Sequence, residues 1–70
     1  MPSPAAALTR IGDHVRTTRR AMSLTQQELA DLAGVSDATV RQIERATGRG
    51  TLSSLLAVLG VLGLDLEVRG

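Results

Sequence analysis

Seventy residues leave room for one domain, and a chain this short buries only about 60% of the surface it exposes when unfolded, so its core is marginal. With no cysteine and a single histidine, His14, neither a disulfide framework nor a metal cage is expected to support that core, which leaves association with a second copy. The net charge of +1 is too small to mark a nucleic-acid binder by itself, but all eight basic residues are arginine and seven precede the apolar C-terminal part, giving one basic and one apolar end.

The opening Met1-Pro2-Ser3-Pro4 reads as part of a flexible tail over residues 1–7, because its prolines cannot propagate a helix or sheet. It lacks the basic start and long apolar run of a secretory signal, and with the absence of cysteine this suggests the cytoplasm. From Leu8 the residues Leu8, Ile11, Val15 and Met22 recur at helical spacing, with Thr18 completing the stripe and Arg10, Asp13, Arg16, Thr17 and Arg20 on other faces. This first helix is expected to end near residues 22–23. Thr25 then offers an N-cap and Glu28 the reciprocal half of a capping box, with Leu24 and Leu29 as a hydrophobic staple. A second helix over residues 26–33 stops at Gly34, which can turn left-handed without steric cost.

Ser36 caps a third helix reaching Arg45, with Asp37 at its positive end and Val40 and Ile43 facing inward. After a glycine-bearing loop over residues 46–50, Thr51 caps a fourth helix carrying Leu52, Leu55, Leu56, Leu59 and Leu62, which Gly63 ends. Ala57, Val58 and Val61 widen its apolar surface, so it is expected to be covered on more than one side. The apolar stretch over residues 55–64 falls far short of the roughly 20 residues that cross a bilayer. Beyond Gly63 the period becomes two, with Leu64, Leu66 and Val68 alternating against Asp65, Glu67 and Arg69 as in a half-buried strand. No other segment can pair with it, so it is expected to pair antiparallel with the same strand of a second subunit, with Val58, Val61, Leu64, Leu66 and Val68 making the dimer interface. The expected fold is all-α with a short C-terminal β-strand: a tail (1–7), a four-helix domain (8–63) and a dimerisation strand (64–70).

The run Leu24-Thr25-Gln26-Gln27-Glu28-Leu29-Ala30, then Ala33-Gly34-Val35-Ser36, Val40 and Ile43-Glu44-Arg45, closely resembles the Xre and lambda-repressor-like helix-turn-helix family. The resemblance spans about residues 11–62 and implies a buried ion pair between Arg19 and Glu44, tying the first helix to the third. Thr18 stands where the family usually has an aliphatic residue, and Gly50 where a proline commonly precedes the fourth helix. The C-terminal Leu-Gly-Leu-Asp-Leu-Glu-Val-Arg is similar to HipB-type antitoxins, which end on a strand paired across the dimer. It implies an antitoxin that represses its own operon and binds a HipA-like kinase toxin, by analogy alone.

In this motif the second helix enters the major groove near its N-terminus, which makes Ser36, Asp37, Ala38, Arg41 and Gln42 the expected base-reading residues. Gln42 suits adenine, Arg41 guanine, Ala38 a thymine methyl and Asp37 the cytosine amino group. A plain phosphate contact for Arg41 and a plain cap for Asp37 stay open as alternatives. Gln26, Gln27, Thr39, Arg45 and Arg49 are expected on phosphates of double-stranded operator DNA, with Arg16 or Arg20 as further candidates. His14 has no nucleophile or carboxylate motif around it, and Gly48-Arg49-Gly50-Thr51 lacks the lysine and spacing of a phosphate loop, so no enzyme, cofactor or metal is expected. Two other functions compete with the antitoxin: a stand-alone repressor without a toxin, and a protein-interaction module using the helices as a scaffold.

Overall fold

The structure, a computed structural model, describes residues 3–69. Four helices follow in order: α1 (Pro4–Ala21), α2 (Gln26–Ala33), α3 (Asp37–Glu44) and α4 (Leu52–Val61). α1 begins four residues before the expected Leu8. The Ser3 hydroxyl accepts from the Ala6 amide at 3.1 Å, and Pro4 takes the first helical position, where its missing N–H would have had no partner and its fixed φ suits the helix. The proline read as a breaker therefore starts the helix, and the tail expected over residues 1–7 is corrected from Ser3 onward; Met1 and Pro2 lie outside the described residues.

The local signals of the middle segment form as read. Thr25 Oγ1 accepts from the Glu28 amide at 3.0 Å and Glu28 Oε1 accepts from the Thr25 amide at 2.9 Å, closing the capping box. Those bonds, the Thr25 backbone donor foremost, hold the Glu28 carboxyl below its ordinary pKa. Gly34 ends α2 at φ 70°, and Ser36 caps α3 only two residues later. α3 touches each of the other helices, while α2 joins it to α4. Between them lie Val15, Leu29, Ala30, Val40, Val58, Leu59 and Leu62, all buried, with Ile11, Leu24, Ile43 and Leu55 packed at the edge. A Cβ on Gly12 would stand 2.6 Å from the Ile43 carbonyl oxygen, so only glycine there lets α1 come this close to the backbone of α3.

α4 departs from expectation in which face it leaves open. Val58, expected at the dimer interface, is 0% exposed within its own chain, because Val58, Leu59 and Leu62 together face the core. Val61 and Leu64 are half-buried against that core, whereas Leu66 and Val68 are exposed. The open side of α4 carries Leu52 and Leu56, one helical turn apart and 62% and 46% exposed. Gly63 at φ 69° turns the chain, and the Leu64 amide donates back to the Leu59 carbonyl at 2.9 Å. Residues 64–69 then run without regular structure past Arg10 and His14 of α1, with Asp65 and Glu67 across a shallow cleft. The expected strand is not formed in the single chain: a strand needs a neighbouring backbone ladder, and no strand exists among the described residues to supply one. Among the described residues no helix is long and apolar enough to cross a membrane.

Candidate nucleic-acid interface

The last residue of α3, Glu44, is only 5% exposed. Taking a carboxylate out of water costs several kcal/mol unless charge and hydrogen bonds replace the lost solvent, and here they converge from two helices. Arg19 of α1 makes a two-pronged contact, Nε to Oε2 at 2.6 Å and Nη2 to Oε1 at 3.0 Å, while its Nη1 donates to the Leu24 carbonyl at 2.9 Å. Gln26 of α2 donates from Nε2 to Oε1 at 3.3 Å. Arg16 adds a third cationic contact, its Nε 3.5 Å from Oε1, and its Nη2 donates to the Glu44 backbone carbonyl at 3.0 Å, satisfying one of the carbonyls that a helix end leaves open. Burial alone would push the Glu44 carboxyl up, but the bonds from Arg19 and Gln26 and the charges of Arg19 and Arg16 outweigh it and hold the group below its ordinary value. Hydrogen bonding to Glu44 raises the Arg19 guanidinium in turn.

This junction fixes the C-terminal end of α3, and Ser36 fixes the other: its Oγ accepts from the Thr39 amide at 3.1 Å and lies 3.0 Å from the Thr39 hydroxyl. Between the ends, Ala38 is exposed. Asp37 and Arg41 form an ion pair one turn apart, and the bond and charge of Arg41 hold the Asp37 carboxyl below its ordinary value. Two of the five side chains expected to read bases are thus engaged with one another. Gln42 is half-buried, and its Oε1 accepts from the Thr47 hydroxyl at 2.7 Å.

The expected phosphate contacts divide into two groups. Arg45 and Arg49 are exposed beyond the end of α3, and Thr39 and Gln26 lie near helix N-termini, Gln26 being the first residue of α2. Gln27 instead donates to Asp31 along α2 at 2.9 Å. Arg16, a phosphate candidate from sequence, is turned to Glu44. That role was discoverable, since Arg16 and Arg19 are three apart and share a helix face. The approach at Gly12 and the Thr47 bond to Gln42 carry no comparable local signal.

A helix-turn-helix family model matches residues 15–68, covering α2, the turn at Gly34 and α3. The chain belongs to the helix-turn-helix family. In that motif the second helix lies in the major groove and the first crosses the phosphate backbone, and α3 and α2 are the second and first helices of the motif in this chain. The immunity repressor protein of Bacillus phage phi105 is 36% identical over 57 residues, amounting to 81% of this chain and 40% of that repressor. The chain therefore spans less than half the length of this relative.

Proposed function

We propose that this helix-turn-helix chain is a transcriptional repressor that binds operator DNA as a homodimer, with α3 reading bases in the major groove. The observation that carries the proposal is the junction at Glu44: three side chains from α1 and α2 converge on the end of α3 and make it a rigid reading element. Ser36, Asp37, Ala38, Arg41 and Gln42 face base edges, with Asp37 exchanging Arg41 for DNA or keeping it as a steric guide. Gln26, Thr39, Arg45 and Arg49 contact phosphates, and Gln27 joins them only by leaving Asp31.

The dimer is proposed to form through the open apolar residues of α4, Leu52 and Leu56, together with Val61, Leu64, Leu66 and Val68. Pairing of residues 64–69 across a two-fold axis would supply the ladder that a single chain lacks. Two biological settings suit such a repressor. A HipB-like antitoxin with a HipA-like kinase partner is supported by the alternation over residues 64–69 alone. A stand-alone repressor is supported by similarity to a phage immunity repressor over 57 residues, and is the setting we propose. Co-purification with a kinase encoded beside its gene would reverse that choice.

The test is a gel-shift titration of the full chain on the DNA upstream of its own gene against a scrambled duplex of equal length. Preferential retardation of the upstream DNA is expected. A folded dimer that retards neither duplex at low salt would leave the helices as a protein-interaction scaffold.

A further inference from the structure

α3 ends in a way that acts on one of its own reading residues. Ala46 adopts φ 59°, in the left-handed region where a side chain is normally disfavoured. Its amide donates to the Ile43 carbonyl at 3.1 Å and the next amide, of Thr47, to the Gln42 carbonyl at 3.2 Å. These are the paired bonds of a Schellman ending, which folds the chain back over the last turn. The fold-back brings Thr47 beside Gln42, and the Thr47 hydroxyl donates to Gln42 Oε1 at 2.7 Å while accepting from the Arg49 amide at 3.2 Å. From this arrangement we infer that Thr47 is a positioning residue that sets the base preference of Gln42. The inference deepens, and rests on, the proposed DNA-reading role of α3.

A hydroxyl has one proton to give. Two acceptors lie in reach of that proton, the Gln42 carbonyl at 3.3 Å and the Gln42 amide oxygen at 2.7 Å. With the Arg49 amide on one of the hydroxyl's lone pairs, the nearer amide oxygen, at a distance normal for an O–H···O bond, takes it. Oε1 keeps its second lone pair and Nε2 its protons. Adenine presents an amino donor beside the N7 acceptor and needs one acceptor and one donor in a fixed order, whereas guanine presents two acceptors and has no use for an amide oxygen. An untethered amide turns freely about its last bond and must be ordered when it binds. A tethered one is ordered beforehand and loses less entropy on adenine. The Thr47 amide keeps its bond to the Gln42 carbonyl when the hydroxyl is removed, and only the hydroxyl's longer 3.3 Å approach to that carbonyl goes with the tether.

The experiment starts from duplexes enriched from a random library by the full-length wild-type chain. The position read by Gln42 is the one where Gln42→Ala flattens base preference. At that position the adenine-to-guanine affinity ratio is measured by fluorescence anisotropy at one salt concentration for Thr47→Val, Thr47→Ser and the Thr47→Val, Gln42→Ala double variant. The ratio is expected to fall roughly three- to tenfold in Thr47→Val, to persist in Thr47→Ser, and to show no added change in the double variant. Relaxation of the Gln42 side-chain amide in the free protein should show faster motion in Thr47→Val while the backbone amides of Ala46 and Thr47 keep their wild-type relaxation, which separates loss of the tether from fraying of the helix end. An unchanged ratio in a folded Thr47→Val, an equal loss in the Gln42→Ala background, or an unaltered Gln42 amide would overturn the inference and leave the repressor reading standing. A folded wild type that enriches no sequence overturns both.

Discussion

Arg41 is held in the free protein by Asp37, one turn earlier on α3, so its charge is partly masked before any DNA arrives. Asp37→Asn removes the masking charge and should raise affinity for every duplex, with the dependence of log affinity on log salt steeper by about one phosphate contact. Anisotropy titrations between low and moderate salt measure this, and an unchanged slope would mean that the freed Arg41 adds no phosphate contact. Gln42→Ala should weaken operator binding by about 1–3 kcal/mol and leave a scrambled duplex nearly unaffected. Gln26→Ala should weaken both duplexes alike, because a phosphate contact carries no direct sequence information. It also loses a donor to Glu44, so its melting temperature should fall where that of Gln42→Ala does not.

The junction of α1, α2 and α3 is where stability and reading meet. Glu44→Ala strands the buried Arg19 guanidinium and should cost about 3–5 kcal/mol, whereas replacing Arg19 and Glu44 together by leucine should recover much of that loss; urea unfolding of the three proteins decides it. Because the folded Glu44 pKa is lowered, its stabilising contribution is complete above the unfolded value of about 4.3 and disappears as pH falls through the lowered one. Unfolding midpoints should therefore drop on acidification below that range in wild type and much less in the double leucine variant. Gly12→Ala drives a methyl group against the Ile43 carbonyl and should destabilise by about 1–3 kcal/mol through forced separation of α1 and α3. The caps of α2, α3 and α4 were legible because they are chemistry over three residues, readable from Thr25-Glu28, Ser36 and Thr51 alone. Ser3-Pro4 was misread because proline both breaks a helix interior and starts a helix, and only the capping bond tells the two apart. Val58 was misplaced because a helix apolar on nearly all sides does not announce which side meets the core. The Arg19 and Glu44 pairing came from family resemblance, not from spacing, and Gly12 and Thr47 act through contacts that only the tertiary fold creates.

Among the described residues the large apolar side chains left in solvent are Met22, Leu32 on α2, Leu52 and Leu56 on α4, and Leu66 and Val68 beyond it, and the last four are those the proposed dimer would cover, with Val68 89% exposed. Removing residues 64–70 should shift the chain toward monomer in sedimentation velocity and weaken operator binding, while half-site binding persists because α3 is untouched; an unchanged dimer at low concentration would place the interface on α4 alone. A two-fold dimer requires a palindromic operator with half-sites about one helical turn, roughly 34 Å, apart. The central claim, that α3 enters the major groove of such an operator, is tested most directly by methylation protection with dimethyl sulfate, which modifies guanine N7 in the major groove and adenine N3 in the minor groove. The expected result is protection of guanine N7 in two clusters about one turn apart, with adenine N3 left reactive inside them. Full N7 reactivity throughout a bound operator, or protection confined to adenine N3, would contradict it.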